Sequence, residues 1–259
     1  MNIKLVALDM DGTLLDSDKN LPVDFIPWVK SHKDIKTVIA SGRQYYTLEK
    51  DFNELKNNLI FIAENGGLVL DNDKIIYSNE MAKEDVRRCL DIIAGYPDMT
   101  PVLCGAKSAY MPKSDDEIFR QVDMYYVRLK VVDNIYSCVD DDNIIKIAVN
   151  VRDNKAEQAM KRFEDLGDRI KPVLSGDRWI DIANTSVNKG EAVKAILKAF
   201  DIDRRNAMAF GDYLNDYELI KSCEESYCME NGHPELKNIA KYITASNDDD
   251  GVMKVLREL

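Results

Sequence analysis

Short apolar runs, each closed by a polar glycine-bearing loop and followed by an amphipathic stretch, set the rhythm of the N-terminal third of the chain. Ile3–Leu8 is a run containing β-branched residues that ends in Asp9-Met10-Asp11-Gly12-Thr13, which predicts a buried strand stopped by a turn. Pro22 followed by Phe25, Ile26 and Val29 has helical spacing, with the proline suited to a first turn. Thr37–Ala40 predicts the next strand, ending in Ser41-Gly42-Arg43, and a helix follows to about Leu55. Leu59–Ala63 predicts a third strand, ending in Glu64-Asn65-Gly66-Gly67. Leu68–Leu70 and Ile75–Tyr77 flank Asp71-Asn72-Asp73 as a hairpin. Strand, loop and helix in alternation predict an α/β fold with a doubly wound, Rossmann-like parallel sheet. In such sheets ligands bind outside the C-terminal strand ends, where these polar loops converge.

After about Lys83 the rhythm changes. An amphipathic helix over Lys83–Ile93 is followed by short strand-like runs near Val102–Cys104 and Ala109–Met111, then by a helix from Asp115 to about Met124. Ile144–Val149 predicts a strand and Ala156–Leu166 a helix. Val173-Leu174 and Trp179–Ile182 flank Ser175-Gly176-Asp177 as a second hairpin. The α/β rhythm returns at Asn188-Lys189-Gly190, which opens a helix through Phe200. Ala207–Phe210 then predicts a strand ending in Gly211-Asp212, and a helix follows around Asp216–Lys221. Short strands at Ser226–Cys228 and Tyr242–Thr244 and a helix from Asp249 complete the pattern, with His233-Pro234 as a further helix start. The expected organisation is an α/β core of residues 1–83 and 188–259, interrupted by an α+β insert of residues 84–187.

Composition narrows the functional classes. In 259 residues, 35 basic and 46 acidic side chains leave a charge of −11, which argues against a nucleic-acid partner. No apolar run approaches the ~20 residues of a membrane helix, and Asp9 interrupts what a signal peptide would need as an uncharged stretch. The odd count of 5 cysteines, widely spread, argues against a disulfide scaffold, and a cytoplasmic location is expected. With only 2 histidines, a histidine relay or a His-rich metal site is disfavoured. Cys223 and Cys228 lack the partners of a zinc site, and Asp140-Asp141-Asp142-Asn143 lacks the ligand spacing of a calcium loop.

The loops after the strands carry the candidate chemistry. Asp9 and Asp11 at a strand mouth suit a hard divalent cation or a division of acid and base roles, and equally suit an Asp-Gly turn. Gly211-Asp212-Tyr213-Leu214-Asn215-Asp216 again sets acids after a strand, as metal ligands or as helix caps. Ser41 and Gly42 offer a hydroxyl and backbone N–H groups to a phosphate, or form a plain turn. Lys189 at a helix start opposes the helix dipole, a cost that a bound anion offsets; the other reading is an exposed lysine. Taken together these are the parts of a magnesium-dependent phosphoryl-transfer site.

At this point the chain resembles the haloacid dehalogenase superfamily, and within it the Cof-type phosphatases with a type IIB cap. The resemblance rests on Asp9-Met10-Asp11-Gly12-Thr13-Leu14, Ala40-Ser41-Gly42-Arg43, Glu64-Asn65-Gly66, Asn188-Lys189-Gly190 and Phe210-Gly211-Asp212-x-x-Asn215-Asp216. Ser246-Asn247-Asp248-Asp249-Asp250-Gly251-Val252 adds to it. It implies a phosphatase in which Asp9 is the nucleophile and Asp11 the acid and base. Ser41, Gly42, Lys189 and Asn215 would serve the phosphate. Mg²⁺ would be held by Asp9, the Asp11 carbonyl, Asp212 and Asp216. Arg43, Glu64 and Asn65 are implied as substrate or cap contacts, and the insert as a cap that selects a small phosphorylated metabolite, with sugar phosphates expected first. A phosphosugar mutase and a non-catalytic phosphometabolite sensor remain open as other readings. Tyr213 and Tyr217, and Glu230 within Met229-Glu230-Asn231-Gly232, depart from the family pattern.

Overall fold

The computed structural model describes residues 2–259. Its elements, in chain order, begin with β1 (Leu5–Asp9), α1 (Phe25–Ser31), β2 (Lys36–Ala40), α2 (Tyr45–Asp51), β3 (Leu59–Ala63), β4 (Leu68–Asp71) and β5 (Lys74–Ser78). Then follow α3 (Lys83–Ala94), β6 (Met99–Gly105), β7 (Ala109–Pro112), α4 (Asp116–Asp123), β8 (Leu129–Val132), α5 (Cys138–Asp141), β9 (Ile144–Val151), α6 (Ala156–Ala159), β10 (Ile170–Gly176) and β11 (Trp179–Asn184). The chain ends with α7 (Lys189–Ala199), β12 (Ala207–Gly211), α8 (Tyr217–Ser222), β13 (Glu225–Met229), α9 (Pro234–Ile239), β14 (Tyr242–Thr244) and α10 (Gly251–Leu256).

The chain divides into two units, one formed by residues up to 77 and from 188 onward, the other by Ser78–Val187. In the first, an eight-stranded sheet runs β14-β13-β12-β1-β2-β3-β4-β5. Pairings from β14 through β3 are parallel, and β4 joins β3 antiparallel. The chain builds outward from β1 to β3 on one side and from β12 to β14 on the other. β1 therefore lies at the switch point where an open α/β sheet leaves a crevice. Leu5 and Ala7 of β1 point to the face covered by Ala192, Val193 and Ile196 of α7 and by Leu219 of α8. The hairpin expected around Asp71–Asp73 is present, with Asn72 and Asp73 both left-handed (φ 48° and 63°), as a tight two-residue turn requires.

The second unit is a six-stranded sheet in the order β10-β11-β9-β6-β7-β8. One face packs on α3, α5 and α6 through Val86, Leu90, Val139, Ile147, Val149 and Phe163, and the other receives α4 through Val102, Ile118 and Val122. Two expectations differ here, and one strand was not expected at all. The first break lies after Tyr77, not between residues 83 and 84, because the Met81 N–H donates to the Ile144 carbonyl and the Met81 side chain is buried in the second unit's core. The helix expected over Ala156–Leu166 is α-helical only to Ala159 and tightens to a 3₁₀ turn over Met160–Phe163 as Phe163 and Leu166 go into the core. β8 carried no expectation; it is an edge strand with Lys130 and Val131 exposed, so its apolar pattern is weak.

Candidate active site

Alternation along β1 continues the Leu5–Ala7 face to Asp9, so the strand's last side chain points towards the helix that opens at Lys189. That helix starts where Asn188 caps it, its side chain accepting from the Glu191 N–H at 2.9 Å. Gly66 lets the start of α7 come in close: it has φ +105°, and a Cβ there would collide with the Asn188 carbonyl. Lys189 is fully buried, and its Nζ donates to Asp9 Oδ1 at 2.5 Å and to Asp216 Oδ1 at 2.6 Å. The cost of a cation at a helix N-terminus is met by two carboxylates rather than by water.

The loop after β12 folds back to deliver Asp216. Its Oδ2 accepts the backbone N–H groups of Asp212 at 3.1 Å and Tyr213 at 3.3 Å, so both its oxygens are engaged. Gly211 makes that return possible, since a Cβ there would lie 2.6 Å from the Asp216 Cβ. Asp212 faces the loop after β1: Thr13 Oγ1 donates to its Oδ1 at 3.2 Å, and Gly12 (φ +83°) passes so close that a Cβ would lie 2.5 Å from Oδ2. One oxygen from each of Asp9, Asp212 and Asp216 lies within 4.8 Å of the others.

If all three carboxylates are ionised, one ammonium leaves this cluster two negative charges in excess. Burial and then the Asp216 charge push the Asp9 carboxyl up to about 8, with Lys189 opposing them only in part. Burial and Asp216 raise Asp212 as well. Burial works to lower Lys189, but the charges of Asp9 and Asp216 outweigh it and hold the amine protonated. A divalent cation beside Asp9 and Asp212 would relieve this repulsion, and the donor set, all carboxylate oxygen, is that of a hard ion. The residues present therefore fit Mg²⁺.

Asp11 stands in a different environment. Its side chain is 42% exposed and lies between Arg43 Nη2, at 2.9 and 3.1 Å from its two oxygens, and Lys19 Nζ at 2.8 Å. Partial burial acts to raise it, but Lys19 and Arg43 together hold it below the usual carboxylate range. Ser41 is buried one residue beyond Ala40, which pairs with Asp9, and its Oγ accepts the Arg43 N–H at 3.2 Å. Gly42 lies against the Asn65 side-chain amide, and Glu64 and Asn65 are both left-handed (φ 50° and 56°) in the turn that seats α7.

The structure thus brings together Asp9, Lys189, Asp212 and Asp216, with Asp11 and Ser41 on the adjoining loops. Arg43 pairs with Asp11 and Asp51. Asn215 is exposed, and the second carboxylate on Lys189 comes from its neighbour Asp216. Tyr213 is exposed, edge-on to His233, and Glu230 is also exposed. The sequence assigns no role to Thr13, although it stands in the first motif, or to Lys19. Thr13 had a visible signal, a hydroxyl directly after the acidic turn; Lys19 had none, because only the fold of residues 16–20 brings it to Asp11.

A model of the haloacid dehalogenase-like hydrolases matches residues 6–256. The chain is 34% identical to the 5-amino-6-(5-phospho-D-ribitylamino)uracil phosphatase YbjI of Escherichia coli (strain K12), over 99% of this chain and 96% of that protein. Among solved structures it is similar to SMU.1108c from Streptococcus mutans UA159, with 29% identity, a TM-score of 0.81 and coverage of 99% and 98% of the two chains. A haloacid dehalogenase-like hydrolase from Bacteroides thetaiotaomicron shares the fold at 22% identity, with a TM-score of 0.87 over 99% of each chain.

Replacing Lys189 by Met leaves Asp9 and Asp216 buried without their cation. The expected loss is about 3–5 kcal/mol of unfolding free energy, read from urea denaturation with and without Mg²⁺. A loss below about 1 kcal/mol in the metal-free protein, the range of an exposed ion pair, would contradict the burial argument.

Proposed function

Because the chain belongs to the haloacid dehalogenase-like hydrolases, we propose that it is a Mg²⁺-dependent phosphatase that hydrolyses a small phosphorylated metabolite of the sugar or sugar-alcohol class. The observation that carries this reading is the buried Lys189 bound to Asp9 and Asp216, with Asp212 completing an acidic cluster at the switch point of the sheet. The named substrate of the Escherichia coli relative is a phosphorylated ribityl compound, which supports the polyol-phosphate class.

In this reading the Asp9 oxygen not held by Lys189 attacks phosphorus in line with the ester oxygen. The P–O bond to the leaving group breaks as the Asp9–phosphate bond forms. Asp11 gives its proton to the departing oxygen and then takes one from the water that attacks the acyl phosphate, releasing inorganic phosphate and restoring Asp9. The pairing of Asp11 with Arg43 and Lys19 holds it as the carboxylate, the form the second half needs. To act as an acid in the first half it must take up a proton while those partners hold it in place. Lys189 holds Asp9 with one oxygen engaged, which orients the other, and Asp216 keeps the ammonium in place. Ser41 and the backbone N–H groups after β1 and β2 serve the phosphoryl oxygens. Asp9, Asp212 and the loop carbonyl at Asp11 would hold Mg²⁺, which would supply positive charge for the transferring phosphoryl group and lower the Asp9 carboxyl. We assign choice of leaving group to the inserted unit, residues 78–187.

Hydrolysis of p-nitrophenyl phosphate tests the chemistry. Wild type with Mg²⁺ is expected to turn over, EDTA to stop it, and Asp9→Asn to lose about 10³-fold or more while keeping its fold. Retained activity in Asp9→Asn rejects the nucleophile assignment. Metal binding has its own readout: Mg²⁺ at about 100 times its Kd adds about 2.7 kcal/mol of stability to wild type, seen as a raised Tm. Asp212→Asn is expected to abolish that rise, and a full rise in this variant would place the ion elsewhere. Exchanging the inserted unit for that of a relative is expected to change which metabolite ester is preferred while leaving the requirement for Asp9 intact. An unchanged preference would contradict the role given to the insert.

A further inference from the structure

The loop that carries Asp11 is tied down by side chains from the far end of the sequence. Asn231 Nδ2 donates to the Gly12 carbonyl at 2.8 Å, and Asn247 Nδ2 donates to the Leu15 carbonyl at 2.9 Å. Asp248 accepts from Ser17 twice, from its N–H at 2.7 Å and its hydroxyl at 2.8 Å. These bonds span 219, 232 and 231 residues. They also brace each other, since Asn231 Oδ1 accepts the Asn247 N–H at 3.1 Å. We propose that Asn231, Asn247 and Asp248 are positioning residues that fix where Asp11 points, an inference that rests on the acid and base role given above to Asp11.

Two features link this brace to Asp11. The first is the backbone. Asn231 holds the carbonyl of the residue directly after Asp11, and Gly12 has no slack, being left-handed and pressed against the Asp212 carboxylate. The second is the partner of the Asp11 side chain. Residues 16–20 close into a small turn, in which the Asp16 carboxylate accepts the Asn20 N–H at 2.7 Å and its Nδ2 at 3.1 Å. Lys19 sits there in the left-handed region (φ 66°) and extends Nζ to Asp11. Asp248 anchors that turn through Ser17, so it sets the place from which Lys19 reaches. Asn231 and Asp248 are exposed, where water could satisfy the same backbone groups at little cost. Bonds there add little to stability, and what they determine is geometry.

The test exploits the chemistry of Asp11. Protonation of the leaving oxygen matters more for phenyl phosphate than for p-nitrophenyl phosphate, whose leaving group departs readily as an anion. Variants Asn231→Ala, Asn247→Ala and Asp248→Ala are compared with wild type on both esters, with Mg²⁺. Thr244→Val, which removes the Thr244 hydroxyl's bond to the Gly251 carbonyl in the same C-terminal segment, calibrates simple loosening. The brace variants are expected to lose about tenfold or more in kcat/KM on phenyl phosphate and about threefold or less on p-nitrophenyl phosphate, with Tm near that of Thr244→Val. Equal losses on the two esters, or no loss on either, overturn the proposal. Asp11→Asn separates the layers. A steeper loss on phenyl phosphate there upholds the assignment of Asp11 whatever the brace does, and an equal loss sinks that assignment and the proposed purpose of the brace with it.

Discussion

The buried ammonium of Lys189 sets most of the local geometry. Lys189 has no access to solvent, so its charge must be met inside the protein, and it is met by Asp9 and Asp216. This requirement binds three segments that are far apart in sequence. β1 must end on the face that α7 covers, α7 must begin at the strand's mouth, and the loop after β12 must turn back on itself. The glycines follow from the same demand. Gly66 admits the start of α7, and Gly211 admits the returning Asp216 side chain. Asp216 is the hinge of the arrangement, since one oxygen holds the lysine and the other holds two backbone N–H groups of its own loop.

The same strand end places two carboxylates two residues apart in opposite surroundings. Asp9 is buried among other acids and is pushed up, whereas Asp11 is half-exposed between two cations and is held down. These directions are opposite to what a nucleophile at Asp9 and an acid at Asp11 want. Both directions hold without a divalent ion, and a cation beside Asp9 would reverse only the first. The lysine cannot do this alone, because it is shared with Asp216.

Much of this was legible in the sequence, for a physical reason. Strands buried on both faces appear as apolar runs, and the residues that end them lie in loops whose composition has no role in the core. Asp9, Lys189, Asp212 and Asp216 could therefore be singled out as a set, although each loop alone suits a turn, a cap or an exposed lysine equally well. What escaped depends on tertiary proximity. Nothing in a lysine at position 19 foretells a bond to Asp11; that bond needs the left-handed turn closed by Asp16 and Asn20. Asn215 and Asp216 are adjacent, and only the course of the loop decides which of them reaches Lys189. The first domain break falls earlier than the pattern predicts because residues 78–82 have no pattern of their own, and it is the Met81 bond to Ile144 that draws them into the second unit. The broken helix after Ala156 belongs with these, as its core contacts outweigh a helical period that is otherwise well formed.

The charge balance also bears on how an acidic protein receives an anion. A chain of charge −11 gains nothing from its overall field when a phosphate ester approaches. Lys189 does not change this, because its charge is already balanced by two carboxylates and the cluster around it remains negative. A phosphate dianion brought to Asp9 would therefore add like charge to like charge. In the proposed role, the divalent cation is thus as much a condition of substrate binding as of bond breaking. Reciprocity then requires that phosphate tighten the cation by the factor through which the cation tightens phosphate. In that proposed role the cluster's excess of carboxylates suits one divalent cation and disfavours a phosphate that arrives without it.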